Sequence, residues 1–297
     1  MLTAEDVVRY QGEILKAHGT FHDSKERAFE PLMTIQVVPG TTPQTIDKAR
    51  RAGVVAGKVY PLGVTTNSEN GVSDFDALDP VFEAMQEVGM VLSLHGESPD
   101  PTVFCLDREV EFLPIIVTIR SKFPRLKIVL EHVTTARAVG FIRLCPEGVA
   151  ATITVHHLFL TLNDVIGGML QPHHFCKPVA KRPQDRDALM EAALSGSPKF
   201  FLGTDSAPHL KEEKECDAGC AGIYTAPVAL PLLTQFFETN GALGRLEDFV
   251  SRFGARFYGL PLNDGMVRLI RQPWTVPHDC GGIVPFQAGQ SLAWQLG

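Results

Sequence analysis

The sequence predicts an α/β protein built on a parallel sheet. Short apolar runs rich in β-branched residues alternate with longer stretches whose apolar residues recur at helical spacing. Strand followed by helix, repeated, is the pattern of parallel strands joined by right-handed crossovers. The intervals are also even. Lys58, His95 and His132 each lie in or close such a run, and 37 residues separate each from the next. One β/α unit fits each step, although the units share no motif.

The elements follow in order. Thr3 is placed to cap a first helix, with Asp6 completing a near-match to a capping box, and Val7, Val8, Ile14 and Leu15 form a stripe to about residue 16. A strand is expected over 32–38, a polar helix over 42–52, and a strand over 54–60 that holds Lys58. A loop rich in Gly, Thr and Asn spans 61–72. A helix then begins within 73–80, buries Leu78, Val81, Phe82, Met85 and Val88, and stops at Gly89. Residues 90–95 read as a strand. Residues 108–122 read as a helix with Phe112, Ile115, Ile116 and Ile119 inward and Pro114 in its first turns. A strand over 126–132, a helix over 134–144 and a strand over 149–155 follow. Next come a helix over 186–194 ended by Gly196, a strand over 199–205, and helices near 226–239 and 245–257. The tail beyond 260 is irregular, with extended pieces near Val284 and Trp294. Six strands result. A (β/α)8 barrel needs eight and carries its active site where the strands end; six leave two unpaired edges.

Composition bounds the rest. With 297 residues, 44% of them hydrophobic, the chain can bury a large core as one domain over 1–297. A net charge of −7 without a basic tract excludes nucleic acid as the expected partner. Six cysteines without a CxxC pair suit free thiols in a reducing compartment, and Cys216 and Cys220 read as loop thiols rather than a metal pair. No apolar run is long enough to span a membrane, and the acidic, polar start is wrong for a signal peptide. A soluble cytoplasmic protein is the expectation.

The chemistry starts at Lys58. An ammonium inside an apolar strand is costly unless paired, neutralised or altered. A lysine snorkelling to solvent from a strand end is the plain alternative. The other run ends tip the balance, because His95, His132 and Asp205 stand at equivalent positions. Imidazole and carboxylate are the usual zinc donors. A desolvated neutral lysine could take up carbon dioxide and become an anionic carbamate that bridges two metals. Two metals would polarise a carbonyl and acidify a water, with Asp205 near enough to serve as ligand and proton carrier.

The motifs Gly57-Lys58-Val59-Tyr60-Pro61, Thr65-Thr66-Asn67-Ser68, Leu94-His95-Gly96-Glu97, Glu131-His132, Ala151-Thr152-Ile153-Thr154 and Gly203-Thr204-Asp205-Ser206-Ala207-Pro208-His209 together resemble the single-function dihydroorotases of the amidohydrolase superfamily. His156-His157-Leu158-Phe159-Leu160-Thr161 and Phe175-Cys176-Lys177-Pro178-Val179-Ala180-Lys181 are most similar to the fungal branch. The resemblance covers nearly the whole chain in order. It implies a zinc-dependent (β/α)8 TIM barrel that interconverts N-carbamoyl-L-aspartate and L-dihydroorotate in pyrimidine synthesis, often as a homodimer. On matching positions, Lys58 would be the carboxylated bridge between two zinc ions. His95 and His132 would bind the more exposed zinc, and Asp205 the other while shuttling the ring-nitrogen proton. His209 would hold the substrate carboxylate, the backbones of Lys177 and Ala221 would bond the ring, and Thr65 and Thr66 would sit on a mobile covering loop.

One departure stands out. The family opens with a strand carrying His-x-His and Arg and a second strand ending in Asn, and this sequence has no His-x-His. His18 and His22 fall in a helix tail and read as surface residues. His156-His157 and His173-His174 are adjacent pairs, of which one member each could face a site if they lie in strands. Residue 1 matches the family just after its second strand. The expectation is a barrel lacking its first two strands, one zinc or fewer for these residues alone, and doubtful activity in this form. A catalytically inactive homologue acting as a binding or pseudo-subunit is the alternative, and another cyclic amidase is a third reading.

Overall fold

In the computed structural model, which describes residues 1–21 and 29–297, the elements run in this order. First come α1 (Ala4–Phe21), β1 (Thr34–Val37), α2 (Pro43–Arg51), β2 (Ala56–Val59), α3 (Asp79–Val88) and β3 (Val91–His95). Then come α4 (Arg108–Lys122), β4 (Ile128–Glu131), α5 (Ala136–Leu144), β5 (Val149–Ile153), α6 (Asn163–Ile166) and α7 (Pro183–Leu194). β6 (Phe200–Leu202), α8 (Lys211–Lys214), α9 (Ala229–Thr239) and α10 (Phe253–Tyr258) complete the main series. The six strands follow one another in the sheet as they do in the sequence. The chain divides into two compact units, Met1–His95 with Pro114–Val129, and Gly96–Leu113 with Leu130–Gly297.

In the first unit the strands pair in parallel, with Gln36 opposite Lys58 and Lys58 opposite Ser93. Partners in register share a face, and so do residues two apart on one strand. Gln36, Lys58, Ser93 and His95 therefore lie on one face. The other face meets the helices: a Cβ on Gly57 would come within 2.8 Å of Met85 Cε on α3 and 3.0 Å of Val37 Cγ2. A side chain there would have to displace the Met85 thioether end.

Helix ends follow the expected signals, with local corrections. The Thr3 cap is a complete box: the Asp6 N–H donates to Thr3 Oγ1 at 3.2 Å and the Thr3 N–H to Asp6 Oδ2 at 3.3 Å. The helix it opens continues to Phe21 rather than stopping near 16. His18 stacks on Phe29 at 5.1 Å between ring centroids, and His22 lies outside the described residues. The helix expected within 73–80 starts at Asp79, because the Asp74 carboxylate first caps a 3-10 turn by accepting from the Asp76 N–H at 3.0 Å. Gly89 ends it in a left-handed conformation at φ 66°. Pro114 lies within the first two turns of α4, as expected.

In the second unit β5 and β6 pair in parallel, with Thr152 opposite Phe201. Both β4 and β6 are shorter than the apolar runs that announce them, since β4 ends at Glu131 and β6 at Leu202. The residues beyond them leave extended geometry: His132 has φ 43° and Asp205 φ 44°. Before α5, Thr134 and Thr135 are held by a buried glutamate described below, and Thr135 caps the helix by accepting the Ala138 N–H at 3.1 Å. The expected helix over 245–257 is a π-helical turn at Asp248–Arg252 that runs into α10. His156 and His157 correct the adjacency argument. They lie in a one-turn 3-10 helix, His156–Leu158, so both rings are buried, with centroids 4.5 Å apart.

Candidate active site

Within the first unit, Lys58 and His95 leave the same sheet face, 8% and 1% exposed. Tyr60 lies between them: Lys58 Nζ is 4.8 Å from the Tyr60 ring centroid, and that ring is 6.1 Å from the His95 ring. Lys58 therefore does not snorkel. Tyr60 was missed as a site residue, although it stands two positions after the lysine. The segment after β2 returns on itself. The Leu62 N–H donates to the Val72 carbonyl at 3.1 Å and the Val72 N–H to the Tyr60 carbonyl at 2.8 Å. Inside that closure the Ser68 hydroxyl accepts the Thr65 N–H at 3.0 Å, and Thr66 is exposed. The loop offers Thr66 to solvent from a tied base, with Thr65 half-buried.

Within the second unit, His132 follows β4 and is 4% exposed. Its N–H donates to Thr152 Oγ1 at 2.7 Å, and the Val133 N–H to the Thr152 carbonyl at 3.0 Å. Gly203 leaves room for that hydroxyl, since a Cβ there would lie 2.6 Å from Thr152 Cβ and 2.9 Å from Oγ1. Gly203→Ala is accordingly expected to lower unfolding stability by about 1–3 kcal/mol through overpacking, read as a shifted urea midpoint.

Left-handed φ in non-glycine residues costs energy and persists where the surroundings enforce it. Of the four non-glycine residues with positive φ among the described residues, His132 and Asp205 are two. Both are candidate ligands named from sequence. Beyond Asp205, Ser206 Oγ accepts the N–H groups of Thr225 and Ala226 at 3.1 and 3.0 Å, tying the loop to the segment that follows Ala221. His209 Nε2 lies 3.2 Å from the Ala221 carbonyl.

Five buried charged residues were given no role from the sequence: Glu97, Glu109, Lys181, Asp185 and Lys214. Glu97 is 1% exposed, and its charge acts on His157 and Cys176. Glu109 accepts four hydrogen bonds, from the N–H and hydroxyl of Thr134 at 2.7 Å each and from those of Thr135 at 2.8 and 2.6 Å. Burial holds its carboxyl above the usual range, opposed by Lys181 and by these donors. Lys181 is itself buried and donates to the Cys105 carbonyl at 3.3 Å. Asp185 accepts the N–H groups of Ala136 at 2.9 Å and of Arg182 at 3.2 Å, and Lys214 is the fifth. Glu97 stands two residues after His95 and Lys181 closes the Phe175–Lys181 motif; Glu109, Asp185 and Lys214 had no sequence signal, because each reads as an ordinary helix charge.

His156, His157 and Cys176 also bring donor atoms within 4.8 Å of one another, all buried. His157 is already committed. Thr154 Oγ1 accepts the His157 N–H at 3.1 Å and lies 2.8 Å from Nδ1, while Nε2 is 3.0 Å from the Pro178 carbonyl. A carbonyl has no proton to give, so Nε2 carries the hydrogen, and Nδ1 takes the threonine proton. No lone pair remains for a metal, and the residue is a tether for the 176–178 segment.

Burial pushes His157 down to about 4 and His156 well below its ordinary value, with Lys charges adding to the effect, while burial and the Asp205 charge push Cys176 up to about 12. For His157 the sign follows from the unfolded value of 6.5. Between that pH and about 4 the unfolded chain takes up a proton that the folded chain refuses, so stability falls as pH drops through this window. The expected loss is about 3 kcal/mol from this one ring, seen as urea midpoints that fall from pH 7 to pH 4 and fall less in His157→Gln.

All six cysteines are free thiols. Among the described residues no helix is long and apolar enough to cross a membrane.

No family model matches. The chain is 49% identical over 276 residues to the dihydroorotase of Teredinibacter turnerae, covering 91% of this chain and 80% of that protein. It is 48% identical over 300 residues to the dihydroorotase of a Marinomonas species, covering 99% and 86%. The crystal structure of Saccharomyces cerevisiae dihydroorotase in complex with 5-fluoroorotic acid superposes with a TM-score of 0.90 at 38% identity, over all of this chain and 86% of that one. Dihydroorotase from Campylobacter jejuni gives 0.86 at 38% identity, over 100% and 84%. The L-hydantoinase of Arthrobacter aurescens, 18% identical with a TM-score of 0.80, shares the fold.

Proposed function

Because the chain belongs to the dihydroorotase family of amidohydrolases, we infer that it interconverts N-carbamoyl-L-aspartate and L-dihydroorotate. The observation that carries this reading is sequence identity near one half, over nine-tenths of the chain or more, to bacterial dihydroorotases. The family is metal-dependent, and the donor types here suit zinc: two imidazoles, a carboxylate, and a buried lysine able to become a carbamate. On this reading Lys58, His95, His132 and Asp205 are the metal ligands. Bound zinc would supply Lewis acidity toward the ring carbonyl and a water acidified enough to attack it.

The residues of the chain have these roles. In ring opening, water adds to the amide carbon, the C–N bond breaks, and the ring nitrogen gains a proton. Asp205 is the proposed carrier of that proton, and it takes the proton back when the ring closes. His209 is proposed to hold the substrate carboxylate, and its Nε2 contact with the Ala221 carbonyl ties it to one of the two backbone segments proposed to bond the ring. Lys177 and Ala221 provide those backbone groups. Thr65 and Thr66 are proposed to cover the substrate from the tied loop and exclude water.

Three donors, Lys58, His95 and His132, suit one zinc, whereas Asp205 adds a single carboxylate for a second. One zinc or fewer per chain is therefore the expected content. The test is carbamoyl-aspartate cyclisation and dihydroorotate hydrolysis by the purified chain, with zinc and bicarbonate supplied and metal counted by atomic absorption. No turnover in either direction would overturn the assignment of activity. Two zinc ions per chain would overturn the expected content.

A further inference from the structure

We propose that Lys214 is a positioning residue for the substrate ring, fixing with one ammonium group the two backbone segments that carry Lys177 and Ala221. This rests on the reading above that those backbones meet the ring.

The sequence around it, Lys211-Glu212-Glu213-Lys214-Glu215, reads as a solvated charge run. The structure treats one member differently. Lys214 is 4% exposed while the other four residues are exposed. Its Nζ donates to the carbonyls of Phe175 at 2.8 Å, Cys220 at 2.9 Å and Gly222 at 2.5 Å. Three N–H donors meet three acceptors, which saturates the ammonium. Among the described residues Lys214 makes no ion pair with a carboxylate, and burial pushes it down to about 8. A buried cation without a carboxylate is an expensive way to join loops, so its value has to lie in what it holds.

What it holds are the two segments of interest. Phe175 stands two residues before Lys177, and Cys220 and Gly222 flank Ala221. The Phe175 carbonyl also accepts the Gly222 N–H at 3.0 Å, so the segments are joined directly as well as through the lysine. The Cys220 carbonyl belongs to the same peptide unit as the Ala221 N–H. A cation on that carbonyl draws electron density from the unit and makes the N–H a stronger donor, as in any polarised hydrogen-bond chain. Gly222, at φ 156°, closes the assembly: a Cβ there would lie 2.8 Å from Ala207 Cβ and 2.9 Å from His209 Cδ2. Lys177, Ala221 and His209 thus depend on one tie.

The test uses the full chain and three readouts: calorimetric affinity for L-dihydroorotate, steady-state KM and kcat, and the amide proton shift of Ala221. Lys214→Met is expected to weaken binding and raise KM ten-fold or more, to change kcat less than three-fold, and to move the Ala221 amide proton upfield. A variant that binds with the wild-type constant, or whose loss lies in kcat with KM unchanged, overturns the proposal. If Lys214→Met does not fold, Lys214→Gln, which keeps two amide donors but no charge, reads the same tie. A ten-fold rise in KM supports the proposal, and a wild-type KM overturns it. Wild-type protein that binds dihydroorotate without turning it over refutes the assigned activity alone, because the affinity comparison between wild type and variant still decides the role of Lys214.

Discussion

Lys58→Ala is expected to lower kcat/KM for dihydroorotate hydrolysis by about a thousand-fold or more, roughly 4 kcal/mol of transition-state stabilisation. The lysine is 8% exposed on a strand face that it shares with His95. A neutral amine that has taken up carbon dioxide would present two oxygens sharing one negative charge to metal, where alanine presents none. The same variant is expected to lose its zinc on dialysis, measured by atomic absorption. Reactivation of metal-stripped wild-type protein is expected to require bicarbonate as well as zinc, since the carbamate carbon has to come from solution. An alanine variant that keeps normal turnover would remove Lys58 from the mechanism. Reactivation without bicarbonate would remove the carbamate but leave the lysine.

Glu109→Gln is expected to destabilise the fold by about 3–5 kcal/mol, the cost typical of breaking a buried charge network. The reason is donor counting. Two N–H groups and two hydroxyls converge on the two carboxylate oxygens. Glutamine keeps one acceptor oxygen and turns an amide NH2 toward two of those donors. Lys181, whose charge opposes the upward shift of Glu109, loses the negative group beside it. Urea unfolding with the slope unchanged measures the effect. Thr134 and Thr135 follow His132 by two and three residues, so zinc affinity is expected to fall about ten-fold in the same variant, as for other supports behind a ligand.

The strand sequence and the ends of the strands were legible because both depend on local pattern. An apolar run followed by a polar residue marks the region where a parallel strand stops: His95 ends β3 and His132 follows β4 directly, while Lys58 lies within β2 and Asp205 three residues beyond β6. Helix signals at Thr3 and Gly89 were legible for the same reason, since each does what its side chain, or lack of one, dictates; Thr42, expected as part of the helix over 42–52, proved to be its N-cap. The adjacency rule failed at His156-His157, since it assumed a strand where the chain makes a 3-10 turn. No periodicity extends over three residues, so no pattern was available there.

By itself, then, the sequence determined the β/α order, the family motifs and the candidate ligands, since each is written in residue types at fixed spacing. Only the tertiary structure decided which charges are buried. Glu109, Lys181 and Lys214 look like surface residues until distant threonines and carbonyls close around them. It also decided that His132 and Asp205 turn into left-handed backbone. A buried charge is tolerated only where partners far along the chain satisfy it, and a strained φ only where packing enforces it, so neither can be read from neighbours in sequence.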